Sequence, residues 1–139
     1  MKRIRSGLAI FFTLSALALM ASQPLHGDDT KTAKTVRVIV DYNDGAQKSF
    51  TGIAWKKGMT ALDATLAASK HRRGFKFSHS GKGTSAFVSQ IDDLKNEGSG
   101  KGKRNWLIWL NEKLARRGVG DQTLQPGDEL KWKFSDKLP

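Results

Sequence analysis

The 139-residue chain contains no cysteine. That excludes any disulfide, and it excludes a lipoprotein anchor, which needs a cysteine thiol. Without crosslinks the fold must rest on an apolar core, and about 110 residues suffice for one. Histidine is nearly as scarce: His26, His71 and His79 are the full set. His71 and His79 lie across a loop from each other with no acidic neighbour in sequence, whereas zinc needs three or four converging ligands. No metal site is expected. Acid is the third shortage, with 13 Asp and Glu against 24 Lys and Arg, a net charge of +11.

Long uncharged runs are also missing, apart from one. Lys2, Arg3 and Arg5 precede an apolar stretch from Gly7 to Ala21, and the small, polar "SQPLHGDDT" follows. A basic start, a short apolar run and a turn-forming exit make a signal peptide over residues 1–27, cleaved between 21 and 27. The protein is then exported, periplasmic or secreted, and touches a membrane only through this segment if it stays uncleaved. Loss of the three leading cations leaves 21 basic residues against 13 acidic, near +8. Such a balance suits anionic surfaces. Export argues against nucleic acid as the partner.

Residues 28–34 form a polar tail, and a domain over 35–136 follows. "TVRVIVDY" alternates, with Val36, Val38 and Val40 on one face, which predicts a half-buried strand. Asp44-Gly45 predicts a hairpin turn. A returning strand carries Phe50, Ile53 and Trp55, and Gly52 within it predicts a bulge or a close backbone approach. The period then changes. Thr60 is the expected N-cap of a helix, with Asp63 completing a capping box. Ala61, Leu62, Thr65, Leu66 and Ser69 form its expected inner face, and Gly74 its stop.

Beyond the helix come Phe75 and Phe77 as a short strand, then a strand with Phe87 and Ile91 on one face and Val88 opposite. "WLIWL" is a buried strand, "NEKLA" a tight turn into a further short strand, and Leu130, Trp132 and Phe134 alternate inward on the last. "DDLKNEGSGKGKRN" is a solvated loop. Strands around one helix predict an α+β, β-grasp-like domain. Its order is ββαβββ with extra short strands, a mixed sheet with the helix packed across it.

No catalytic pattern emerges. Ser78, Ser80 and Ser85 flank His79 without a nucleophile elbow. Asp92-Asp93 and Asp128-Glu129 are neighbours in sequence whose side chains diverge. "SGKGTS" does not satisfy the phosphate-loop spacing. The chain therefore reads as a non-enzyme with no cofactor. Two features point to binding. Trp106 and Trp109, three apart in a strand, face opposite sides, so one leaves the core. Arg72, Arg73, Lys101, Lys103 and Arg104 concentrate positive charge in "KHRRGFK" and "GKGKRN" as an expected anion or partner site.

The segments "MTALDATLAAS", "SAFVSQIDDL" and "NWLIWLNEKLARRGVGDQTLQPGDELKW" resemble, in order and spacing, the transcobalamin C-terminal-like domain family. This is a bacterial family of unknown function related to the β-domain of the vitamin B12 carriers. The resemblance spans about residues 35–134 and is sharpest from Trp106 to Trp132. It implies a β-grasp-like fold and a monomeric, non-catalytic binding module. Its implied ligand is a corrinoid such as cobalamin, or another flat organic molecule. Trp106, Trp109, Asn111, Gly118, Val119, Gly120 and Asp121 are the implied contacts. In the animal carriers this domain closes over a corrinoid held against a helical barrel. No stretch here reads as that barrel, so one side of such a site is expected. The second expectation is an interaction domain that docks on a larger exported protein or an anionic envelope polymer.

Overall fold

The computed structural model describes residues 33–137. The expected signal segment and cleavage site, His26 and most of the expected polar tail lie outside them. The described part is α+β. Strands β1 (Thr35–Asp41) and β2 (Gln47–Ala54) precede the one helix, α1 (Ala61–Ser69). β3 (Phe77–Ser80), β4 (Phe87–Ile91) and β5 (Leu94–Lys95) follow, then β6 (Asn105–Leu110), β7 (Lys113–Leu114) and β8 (Glu129–Ser135). There are two sheets where one was expected. A five-stranded mixed sheet has the order β2-β1-β8-β6-β7, and a three-stranded antiparallel sheet the order β3-β4-β5.

The first and last strands lie side by side in parallel, Val38 beside Leu130 and Val40 beside Trp132. β2 and β6 flank that pair in antiparallel register. The expected alternations bury Val36, Val38 and Val40 with Leu130, Trp132 and Phe134. Gly52 takes φ +74° where the β1–β2 register shifts between Val36 and Val38, so the bulge is real and glycine supplies its left-handed residue. Asn111 and Glu112 (φ +48° and +66°) form the two-residue turn from β6 to β7.

α1 lies over the buried face of the large sheet. Thr60 caps it as expected: its hydroxyl accepts from the Asp63 amide (3.2 Å), and the Asp63 carboxylate accepts from the Thr60 amide (2.9 Å). The inner face differs from expectation. Ala61, Ala64, Thr65 and Ala68 are buried, while Leu62 and Leu66 are only partly so. The cause is Trp132, which rises from the sheet beneath the helix and donates its indole N–H to Thr65 Oγ1 (2.9 Å). Small residues leave room for the indole, and the leucines move to the flanks. The helix ends at Ser69, capped by Lys70, so the run Lys70–Arg73 and Gly74 lie beyond it.

A second bulge overturns the reading of β4. Ser78 pairs with Gln90 but His79 pairs with Val88, leaving Ser89 as an extra residue. The alternation therefore resets inside the strand. Val88 joins Ile91 in the core, and Phe87 is 57% exposed. In the "WLIWL" strand only Trp106 is buried; its neighbours are half-buried.

The two sheets are stapled at Asp92, a residue with φ +46°. Its carboxylate accepts from the Tyr42 hydroxyl, from Lys48 Nζ (2.8 Å) and from the Lys76 amide (3.0 Å). Burial pushes the Asp92 carboxyl up, but the hydrogen bonds from Lys48, Tyr42 and Lys76 and the Lys48 charge outweigh it and hold the pKa below the usual range. Burial, helped by Asp92 and Asp44, raises that of Tyr42. A carboxyl lowered in the folded state stabilises above the unfolded pKa, about 4, and that contribution disappears as pH falls through the folded value. Asp92→Asn tolerates the same backbone geometry, removes the charge and turns one of the two accepting oxygens into a donor facing the donors of Tyr42 and Lys48 or of Lys76. We expect it to lower stability by about 1–2 kcal/mol at neutral pH. It should also flatten the loss of stability below about pH 4 in urea titrations. An unchanged acid limb would show that the staple lies elsewhere.

Candidate functional site

The segment after β7 is built to terminate a helix. Ala61 and Leu62 amides, which have no partner within α1, donate to the carbonyls of Gln122 (2.8 Å) and Val119 (2.8 Å). Asp121 and Gln122 amides turn back onto the Gly118 carbonyl, at 3.0 and 2.9 Å. This places Val119 inward, buried against the core. Gly120 meets the short helical turn Gly83–Ser85 so closely that a Cβ there would sit 2.2 Å from the Gly83 carbonyl oxygen. The same construction at Gly118 reaches nothing nearer than 4.0 Å. The bend thus binds α1 on one side and the start of β4 on the other.

Between the bend, the start of β4 and the β6–β7 end of the large sheet an apolar cleft of about 260 Å³ opens to solvent. Trp106 and Ile108 from β6 and Trp132 from β8 form its floor, with Ala86, Val88 and Val119 as walls. Phe87 stands at the rim, the one large hydrophobic side chain exposed among the described residues. Both floor indoles have their N–H groups occupied elsewhere. Trp106 donates to the Leu94 carbonyl (2.8 Å) and Trp132 to Thr65. They offer the cleft only ring carbon. Trp106 is further fixed against Phe134 and Tyr42, with ring centroids at 5.1 and 5.8 Å. No Ser, His, Asp or Glu lines the cleft, and Arg117 is its one charged group. The arrangement can stack and desolvate an apolar group.

Of the seven residues nominated as ligand contacts, Trp106, Gly118 and Val119 reach this cleft. Trp109 pairs with Lys131 on the opposite face of the sheet, beside Lys133 and Asp41. Asn111 is committed to structure. Its amide donates to Asp128 (2.8 Å), and its carbonyl oxygen accepts from the Glu129 amide (2.9 Å). Asp128 in turn accepts from the Gln125 amide (2.7 Å), so Asn111 ties the β6–β7 turn to the Pro126-Gly127 turn. Asp121 pairs with Arg117 (3.0 Å). The carbonyl of Gly83 crowds Gly120.

The basic nominees are scattered. Arg72 lines an open basin of about 760 Å³ with Tyr42, Lys48, Lys76 and Asp92, beyond the end of α1. Arg73, Lys101 and Lys103 are exposed. Arg104 is occupied: Glu97 takes its guanidinium at 3.1 Å, and the group lies 4.8 Å from the Phe134 ring centroid. The hydrogen bond from the Arg104 amide, with its side chain, holds the Glu97 carboxyl below its ordinary pKa. Glu97 and Arg104 thereby close the base of the glycine-lysine loop. The histidines serve as rings, His79 stacked on Phe77 (5.2 Å) and His71 edge-on to Phe50 (5.7 Å). Among the described residues no three His, Asp or Glu side chains converge as a metal would require.

Reasoning from sequence missed Phe87, the exposed hydrophobic residue of the cleft, and placed it on one face with Ile91. Only the strand pairing reveals its outward position, through the extra residue at Ser89. In an extended chain Phe87 opposes Ala86 and Val88, so burial of those two turns Phe87 outward.

The fold is shared with solved structures of low sequence identity. One similar solved structure is haptocorrin in complex with Cbi, at a TM-score of 0.61 and 17% identity; the match covers 77% of this chain and 26% of that one. A second, from Ruminococcus gnavus ATCC 29149 and described as a candidate metal-binding protein, gives a TM-score of 0.52 at 13% identity over 76% of this chain and 99% of that one. The chain belongs to the DUF4430 family, a domain of unknown function, which matches residues 58–136. No curated protein matches the chain. It spans about a quarter of the length of haptocorrin.

Proposed function

We propose that this protein is an exported, non-catalytic, monomeric binding module that holds one apolar, flat part of an organic ligand in the cleft beneath Phe87. The single observation behind this reading is an exposed phenylalanine over a solvent-open apolar cleft. A concave apolar surface with an aromatic ring at its rim can desolvate the apolar part of a ligand. The cleft's volume of about 260 Å³ falls just below the usual range for a complete small-ligand site, so it holds part of a ligand. A corrinoid is the favoured class because haptocorrin, solved with Cbi, shares the fold. The parallel pairing of β1 with β8, flanked by β2 and β6 under one helix, supports reading that fold as β-grasp-like.

Trp106 and Trp132 form the cleft floor, so their fluorescence reports occupancy. Cobalamin titrated into the purified protein is expected to quench tryptophan emission, and Phe87→Ala to weaken binding roughly tenfold without loss of stability. Absence of quenching at high micromolar cobalamin removes the corrinoid. Export is checked by the N-terminus of the protein recovered from cells. A chain that keeps residues 1–27 and stays in the cytoplasm contradicts it.

The second reading, docking on a larger exported protein or an anionic envelope polymer, draws on Arg72, Arg73, Lys101 and Lys103. All four are exposed and have no ion-pair partner among the described residues. It requires retention on an anionic polymer that falls steeply with salt and with charge reversal at Lys101 and Lys103.

A further inference from the structure

The apolar cleft does not end at Arg117. An adjoining recess of about 460 Å³ shares Leu114, Ala115 and Arg117 with it and continues past Lys113 and Arg116 to Gln122. The groove is therefore divided by chemistry. One end is floored by indole carbon and rimmed by Phe87. The other is bordered by three cations and the Gln122 side chain, with no acidic residue in its lining. Lys113 and Arg116 are exposed and have no ion-pair partner among the described residues. Arg117 stands at the junction. Its pairing with Asp121 is a surface contact between groups whose side chains are 65% and 40% exposed, so its release in favour of another anion costs little.

We infer that the ligand of this groove is an amphiphilic anion. Its flat apolar part would enter the cleft, and its phosphate, sulfonate or carboxylate group would lie between Lys113, Arg116 and Arg117. This rests on the cleft being the binding site and adds the charge of what it binds. The physical ground is complementarity. Guanidinium groups match oxyanions bidentately, and ring carbon accepts only apolar surface. A neutral apolar molecule would leave the recess cations without use. A hydrophilic anion would leave Phe87 and the cleft floor wet.

A matched pair of probes separates the two ends. 8-Anilinonaphthalene-1-sulfonate and N-phenyl-1-naphthylamine share an aromatic body and differ by the sulfonate. The sulfonate probe is expected to bind about tenfold more tightly, in keeping with a charge-assisted contact. In the double variant Lys113→Glu/Arg116→Glu that advantage is expected to vanish while the neutral probe keeps its affinity. Lys56→Glu/Lys57→Glu makes the same change of net charge on the β2–α1 connection and should leave both probes within about threefold of the unmodified protein. Near-UV circular dichroism confirms that each variant is folded. Equal affinities for the two probes, or an equal loss in both double variants, would overturn the inference. Phe87→Ala tests the underlying cleft separately, since loss of both probes supports it. If both probes bind and neither responds to Phe87→Ala, the cleft itself is wrong, whatever the cations do.

Discussion

Gly120→Ala is expected to destabilise the domain by about 3 kcal/mol, while Gly118→Ala two residues earlier should cost less than about 1 kcal/mol. Both glycines belong to one bend, and neither has a positive φ. The difference is what each faces. A Cβ on Gly120 would lie 2.2 Å from the Gly83 carbonyl oxygen and 2.7 Å from Ala86 Cβ. One obstacle is backbone and the other is buried, so neither can swing aside. Relief requires the bend to withdraw from β4, which strains the carbonyls of Val119 and Gln122 that receive the Leu62 and Ala61 amides. A single methyl group should therefore loosen the helix start, the bend and a cleft wall together. Urea unfolding checks the magnitude, and a shift of several degrees in Tm per kcal/mol is expected for a domain of this size. Equal costs at the two glycines would mean that the close approach does not constrain the bend.

Trp132→Ala is expected to cost about 4 kcal/mol, through the volume lost beneath α1. A finer measurement concerns its hydrogen bond. Thr65 is fully buried and its hydroxyl donates to the Ala61 carbonyl (2.7 Å) while accepting from the Trp132 indole. Thr65→Val removes the acceptor and strands a buried N–H, which should cost about 2 kcal/mol. Made in a Trp132→Phe background, the same change strands nothing and should cost about 0.5 kcal/mol. A Thr65→Val penalty that is identical in both backgrounds would show that the bond contributes nothing beyond shape.

The predictions that held in this chain rest on strictly local chemistry. Valine alternation in β1, the Thr60–Asp63 box, the glycine bulge at Gly52 and the Asn111-Glu112 turn each depend on a few adjacent residues. The divergence of Trp106 and Trp109 follows from the two-residue period of any strand and holds for the same reason. What was not legible depends on residues distant in sequence. The helix turns its alanines inward because an indole from β8 occupies the space beneath, which the helix sequence alone does not contain. Ser89 carries no sign of a bulge, yet its extra place in β4 exchanges Val88 for Phe87 at the surface. Asn111, Asp121 and Arg104 are residue types suited to recognition, and here Asp128 with the Glu129 amide, Arg117, and Glu97 with the Phe134 ring engage them. The candidate site was thus half visible. The bend and one tryptophan were nominated, while the exposed phenylalanine and the flanking cations became apparent only once the strands were paired.

The parallel seam between β1 and β8 governs when this molecule can become itself. Residues as remote as Val38 and Leu130 must meet before the central ladder exists, so the topology carries a high contact order and implies slow, late closure. As the chain leaves the ribosome, β1 and β2 can zip into a hairpin, but that pair alone is marginal in water. The nascent polypeptide stays pliable until the stretch around Trp132 has been synthesised. A premature stop upstream of Glu129 leaves an open edge on β1 and no floor under the helix, a product fit for proteolysis.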